Sequence, residues 1–181
     1  SAMLYPRGRY AGEAEIDGSE LSKTLFAQPA TIAVAVGTYD IFKAAGFAPD
    51  VAAGHSLGEL PALYASGCLS RDSLAELVVE RAAAMGAQGG GVKGAMAAIV
   101  GAGASSVRPR GPNVWVANVN APDQVVITGE ASAVKAECSR LKSSFKVHPL
   151  AVSDAFHSPL MESSSNAFKS SIRKALSARK F

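Results

Sequence analysis

The residue types and spacing that could do chemistry centre on the hexapeptide Gly54-His55-Ser56-Leu57-Gly58-Glu59. An apolar run, Val51-Ala52-Ala53, enters it, and a helix-compatible stretch from Leu60 to Ala65 leaves it. Strand, sharp turn and helix around G-x-S-x-G make a nucleophile elbow. The glycines at 54 and 58 allow a turn in which a side chain would collide with the neighbouring strand or helix. Ser56 is then held at the tip, and the following helix aims its unbonded N–H groups and positive dipole end back at it. A hydroxyl nucleophile and donors for a developing oxyanion share one turn, with the Leu57 N–H as the natural donor. A Gly-rich strand-to-helix turn with a spectator serine has the same five residues, because short motifs also match by chance.

A serine hydroxyl is nearly inert at neutral pH and needs a base. Of the three histidines, His55 belongs to the elbow itself and His148 sits mid-strand. His157 lies at a strand end, just before Ser158 as N-cap and Pro159 as first helical residue. A histidine in such a place is either a local hydrogen-bonder or a base. Arg81 is the third group of interest. Leu74, Leu77, Val78, Arg81, Ala82 and Met85 recur at helical spacing on one face, with Glu76 and Glu80 on the other. A guanidinium that cannot lose its proton therefore sits in an apolar stripe, where it is costly to bury alone. It snorkels past Met85, pairs with a structural carboxylate, or receives an anionic ligand; the residues leave all three open.

The elements that must carry these groups follow from pattern. A helix is expected from Pro29 to about Ala45, stopped by Gly46, and the mostly apolar run Ile32–Val36 marks it as buried. Ser70 caps the helix that carries Arg81. Ala87 to Gly94 reads as a flexible hinge, and residues 1–22 show no periodicity. Strands follow at Ala95–Val100, Val114–Val119, Gln124–Thr128 and Lys146–Val152, with a helix at Ser132–Ser143. That order is most of a βαββαβ ferredoxin-like unit whose first helix should occupy Gly101–Pro112, a stretch too short and too rich in Gly and Pro.

With 181 residues, 48% hydrophobic and 18% charged, the composition is that of an ordinary soluble globular protein. The net charge of +3 is spread out apart from Arg173-Lys174 and Arg179-Lys180, so no nucleic-acid stripe is expected. No apolar run approaches the ~20 residues that span a membrane, and no signal-peptide pattern occurs. Cys68 and Cys138 lack metal-ligand spacing and are expected as reduced cytosolic thiols, which places the protein in the cytoplasm. No metal site is expected. Ser1-Ala2-Met3 reads as a tag-cleavage scar.

Taken together, five segments resemble the malonyl-type acyltransferases of fatty-acid and polyketide synthases. They are Phe26-Ala27-Gln28-Pro29-Ala30, the elbow, Glu80-Arg81, Asn118-Val119-Asn120-Ala121-Pro122 with Val125-Val126-Ile127-Thr128-Gly129, and Ala155-Phe156-His157-Ser158-Pro159-Leu160-Met161. They run in the family's order and cover residues 24 to about 165. Within the family the chain looks like the domains of polyunsaturated-fatty-acid and iterative polyketide synthases. The resemblance implies an α/β fold, with an α/β-hydrolase-like catalytic subdomain over residues 1–94 and 153–181 and a ferredoxin-like small subdomain inserted at 95–152.

It also implies roles. Ser56 would be the nucleophile, His157 the general base and acid, and Arg81 the bidentate partner of a malonyl carboxylate. Gln28, Asn120 and His55 would line the substrate site, and Phe156 would favour malonyl over methylmalonyl by filling space beside the α-carbon. Malonyl-CoA would be a substrate, with no permanently bound cofactor. The partners would be a phosphopantetheinylated acyl carrier protein and other domains of a synthase, with no nucleic acid and no membrane. Two family segments have no counterpart: the N-terminal Gly-Gln-Gly that supplies a second oxyanion donor, and the C-terminal part that supplies a carbonyl to the histidine. An excerpt from a larger synthase is the expectation. The rival readings are a serine esterase or thioesterase, with Asp123 or Asp154 as third member, and a non-catalytic acyltransferase-like scaffold.

Overall fold

The computed structural model describes Leu21 and residues 23–86, 93–152 and 154–177; the polar N-terminal segment and most of the expected hinge lie outside these. The chain divides into two units, Ser1–Ala87 with Asn166–Phe181, and Gln88–Ser165. The second takes in residues 153–165, which the resemblance assigns to the first.

Helix α1 of the first unit runs Thr24–Ala44, five residues earlier than Pro29 as a start would imply. The first turn is closed by Phe26 and Ala27 N–H groups donating to the Lys23 carbonyl, before the proline is reached. Pro29 then costs one ladder hydrogen bond inside the helix rather than opening it. At the other end, the N–H of Phe47 donates to Phe42 and that of Gly46 to Lys43, the Schellman pattern, and the Phe42 and Phe47 rings meet edge to face.

A 3-10 turn at Ser56–Gly58 leads into α2, Glu59–Ala65, and α3 runs Arg71–Gly86. Ser70 caps α3 as expected, its Oγ accepting from Ser73 N–H at 3.1 Å. Ile32 and Val36 of α1 pack with Leu60 of α2 and with Leu74, Leu77 and Val78 of α3. Phe168 and Ile172 of the last helix, α5 (Glu162–Ser177), lie against the same cluster. α1 is not buried all round: Val34 is 52% exposed and Ile41 72%. Its 21 residues are nonetheless long and apolar enough to cross a membrane by length and composition, which corrects the sequence-based expectation on that point. Pro29 hides the run by suggesting a later start. Asp40 ties the three helices at the surface, accepting from Tyr64 Oη at 2.8 Å and pairing with Arg71.

The second unit is built on a four-stranded antiparallel sheet ordered β2-β3-β1-β4, with β1 at Gly94–Val100, β2 at Val114–Ala121, β3 at Gln124–Glu130 and β4 at Lys146–Pro149. Helix α4, Ala131–Leu141, connects β3 to β4. Alternation along the strands separates two faces. Ala97, Ile99, Val125 and Ile127 pack with Val134, Cys138 and Leu141 of α4. Met96, Ala98 and Val126 form a smaller cluster with Ala117 and Phe156. Between β1 and β2, the place of the expected first helix holds a 3-10 turn, Ala104–Ser106, and Ala104 and Val107 plug the core there.

Thr128 is fully buried in β3, and its Oγ1 has no hydrogen-bond partner among the described residues. A hydroxyl desolvated without compensation is destabilising, and a methyl of the same shape removes that cost. Thr128→Val is expected to stabilise the protein by about 1 kcal/mol. Thermal unfolding followed by circular dichroism checks this, with a midpoint raised by about 2–4 °C.

Candidate functional site

The elbow is made by a backbone crossing. A Cβ built on Gly54 would lie 2.0 Å from the Gly58 carbonyl oxygen and 2.4 Å from Glu59 N, closer than any real side chain comes. Residue 54 must therefore be glycine for the chain to double back so soon. His55 is extended (φ −115°, ψ 123°), Ser56 turns to φ 54°, and the Gly58 N–H closes the corner on the His55 carbonyl at 3.0 Å. A non-glycine residue in the left-handed region is strained by about 1–3 kcal/mol, and such strain concentrates where a side chain must be aimed. The Leu57 N–H points from the start of the helical run and has no backbone acceptor among the described residues.

Two expectations about the elbow change. Gly58 is helical (φ −64°, ψ −14°), and a Cβ there would meet nothing within 4 Å among the described residues. Its place in the motif is not explained by a collision. Val51–Ala53 forms no ladder among the described residues and is exposed, as is His55. A strand is defined by its neighbours, and local sequence dictates only the extended shape.

Arg81 lies half-buried on the core face of α3, and its Nη1 donates to Gln28 Oε1 of α1 at 2.5 Å. Gln28 is 5% exposed, and its Nε2 donates to Thr24 Oγ1 at 2.6 Å and to Met85 Sδ at 3.3 Å. Burial pushes the guanidinium below its ordinary pKa, and the charge of Glu59 at the start of α2 opposes that shift. Beside the three fates open to Arg81, the structure shows a fourth arrangement: a neutral amide orients it, which leaves its charge unneutralised by that partner. The resemblance points to Gln28 and Arg81 and the apolar stripe holds Met85, but the sequence reading gives neither Met85 nor Thr24 a part in holding them. Both stand one helical turn from a named residue, at 24/28 and 81/85, and that spacing is the signal that could have found them.

His157, Phe156 and Asn120 belong to the second unit. The segment before His157 crosses the start of β1 so closely that a Cβ on Gly94 would lie 2.2 Å from Ala155 N. Ala155 is buried, and Phe156 packs against Met96, Ala98 and Val126. Ser158 Oγ donates to the Ala155 carbonyl at 2.6 Å and accepts from Leu160 N–H at 3.2 Å, capping the turn Pro159–Met161 as expected. Between these anchors His157 adopts φ 60° and is exposed. Asn120 is exposed at the end of β2, donating to Gln124 Oε1 at 3.3 Å.

A four-stranded antiparallel sheet with helices, together with a helical unit that carries a serine on a strained corner and a half-buried arginine held by an amide, makes this a mixed α/β protein. The chain belongs to the acyl transferase domain family, whose sequence model matches residues 13–180. It is 51% identical over 177 residues to a polyunsaturated fatty acid synthase polypeptide of Thraustochytrium sp., covering 96% of this chain and 6% of that one. Its structure is similar to that of the malonyl CoA-acyl carrier protein transacylase of Coxiella burnetii, with TM-score 0.81 and 32% identity, covering 88% and 53% of the two chains. It is also similar to a malonyl-transacylase solved in complex with a type II polyketide synthase acyl-carrier protein, with TM-score 0.78 and 33% identity over 87% and 54%. The chain thus spans about half the length of these transacylases.

The two glycines of the elbow should respond oppositely. Gly54→Ala forces backbone atoms apart and should destabilise by about 1–3 kcal/mol. Gly58→Ala removes unfolded-state freedom at a helix-compatible position and should stabilise by about 0.4–1 kcal/mol. Urea-unfolding midpoints of the two variants against the parent check both signs.

Proposed function

We propose that this chain carries out the loading and transfer steps of a malonyl-CoA:acyl carrier protein acyltransferase. Ser56 Oγ attacks the thioester carbonyl while its proton passes to His157; the carbon–sulfur bond breaks, and coenzyme A leaves as the thiol with that proton. A malonyl ester on Ser56 remains. The pantetheine thiol of the carrier protein then attacks the ester, His157 again relays the proton, and Ser56 regains its hydroxyl. Leu57 N–H stabilises the oxyanion in both halves.

The observation that carries this reading is the Arg81–Gln28 pair. A half-buried cation held by an amide rather than a carboxylate suits a ligand that brings its own carboxylate, and Arg–carboxylate bonds contribute about 1.5–3 kcal/mol. An esterase acting on neutral acyl groups gains nothing from it. The names of the relatives, malonyl transacylases and a fatty acid synthase, agree with this substrate class. Phe156, seated on Met96, Ala98 and Val126, narrows the space for an α-methyl group, which is worth ~1–3 kcal/mol in a packed pocket. Asn120 and His55 are further substrate-binding residues in this reading.

The partners are a carrier protein and further domains of a synthase. The setting is the cytoplasm, without nucleic acid, membrane or bound cofactor. The strand order and the all-antiparallel pairing support a ferredoxin-like small subdomain with its first helix reduced to Ala104–Ser106, inserted in an α/β-hydrolase-like one.

Incubation with malonyl-CoA followed by peptide mass spectrometry should place one malonyl ester on Ser56, and Ser56→Ala or His157→Ala should abolish it. Arg81→Ala should lower malonyl loading by about ten- to a hundredfold while acetyl loading persists. A protein that forms no ester on Ser56 is not this enzyme.

A further inference from the structure

Four side chains interlock between α1 and α3, and in the reading above Arg81 is the one that pairs with the ligand's carboxylate. The Gln28 amide has two protons and two acceptors for them, Thr24 Oγ1 at 2.6 Å and Met85 Sδ at 3.3 Å. Its carbonyl oxygen is left facing Arg81. Turned over, the amide would set its oxygen against a thioether that only accepts and its protons against a guanidinium that only donates. The hydroxyl of Thr24, one turn before Gln28, holds the amide plane, and the sulfur of Met85, one turn after Arg81, makes the choice of end one-sided.

We propose that Thr24 and Met85 are positioning residues for carboxylate recognition: they clamp the Gln28 amide so that its carbonyl fixes the plane of the Arg81 guanidinium. The inference rests on the assignment of Arg81 to a malonyl carboxylate. Bidentate pairing needs the fork held in one plane, and an arginine tethered through one Nη by a fixed acceptor keeps its remaining donors aimed. A free guanidinium would have to be ordered at each binding event, which weakens binding without changing the chemistry that follows. The effect should fall on KM for the malonyl thioester and spare kcat.

Thr24→Val keeps the shape and removes the acceptor, Thr24→Ser restores it, and Met85→Leu removes the sulfur at similar volume. With malonyl-CoA, Thr24→Val should raise KM about three- to tenfold at nearly constant kcat, Met85→Leu should act in the same direction to a smaller degree, and Thr24→Ser should return the parent value. Loading from acetyl-CoA, which has no carboxylate, should be unchanged in all three. An equal loss for both thioesters, or no change in malonyl KM, overturns the proposal. Nitrogen-15 NMR of the Gln28 side-chain amide and the Arg81 guanidinium gives an arm independent of turnover. Both sets of resonances should shift in Thr24→Val and return in Thr24→Ser; unshifted resonances overturn the clamp. If the parent protein loads no malonyl group at all, the functional reading fails, and the NMR arm still decides whether Thr24 holds the amide.

Discussion

The backbone crossing at Gly54 is the constraint from which the elbow follows. With the Gly58 carbonyl and Glu59 N occupying the place of a Cβ, the chain has one way to pass from an extended segment into a helix within three residues. That path drives Ser56 to φ 54° and leaves the Leu57 N–H without a backbone acceptor among the described residues. Leu60, the first apolar residue inside α2, is buried with Ile32, Val36 and the α3 leucines, so the helix cannot slide to relieve the corner. Tyr64 adds a polar tie to Asp40 further along the same helix. The strain at one residue is offset by packing at its neighbours, and the serine's direction is a consequence of both.

Arg81 shows how an apolar stripe can hold a charge. The face that buries Leu77 and Val78 also holds the guanidinium half out of water, and the desolvation lowers its pKa. A carboxylate partner would have relieved that cost and neutralised the site. A glutamine relieves part of it through one hydrogen bond and leaves the charge standing, with Glu59 acting on it from the start of α2. Burial and charge are thus in tension at a point where the protein gains no stability from the tension. In the proposed reaction the malonyl carboxylate would relieve that tension.

The sequence was most legible where local chemistry decides the outcome. Ser70 and Ser158 as caps and the face of α4 with Val134, Cys138 and Leu141 depend on neighbours a few residues away, and each appears where the pattern put it. The strands of the second unit also appear, but β4 ends at Pro149 rather than at Val152, where its pairing with β1 runs out. It was least legible where a distant contact overrides a local preference. Pro29 favours a helix start, yet Thr24 and Gln28 bond across one turn before it and α1 begins earlier. Gly58 fits the motif but not the collision argument, because only the fold says which of two glycines faces a crossing backbone. The neutral partner of Arg81 was out of reach for the same reason. Spacing shows that a charge lies in a stripe, but not what lies opposite it on another helix.

Ser56 and His157 share a property that neither their residue types nor their spacing in the sequence contains: both are non-glycine residues at positive φ, 54° and 60°. Each comes two residues after a backbone crossing that a missing Cβ admits, at Gly54 itself in the first unit and at Ala155 against Gly94 in the second. Ser56 begins a 3-10 turn that leads into a helix, Ser56–Gly58, and His157 stands two residues before another, Pro159–Met161. The two turns differ in how they are pinned, by the buried side of α2 in one case and by Ala155, Phe156 and the Ser158 hydroxyl in the other. Their common geometry presents a side chain from the outside of a tight corner, where the direction of its Cα–Cβ bond is set by strained backbone. In the proposed reaction, where Ser56 would act as nucleophile and His157 as base, a side chain aimed by the backbone would keep its direction while its own hydrogen bonds change.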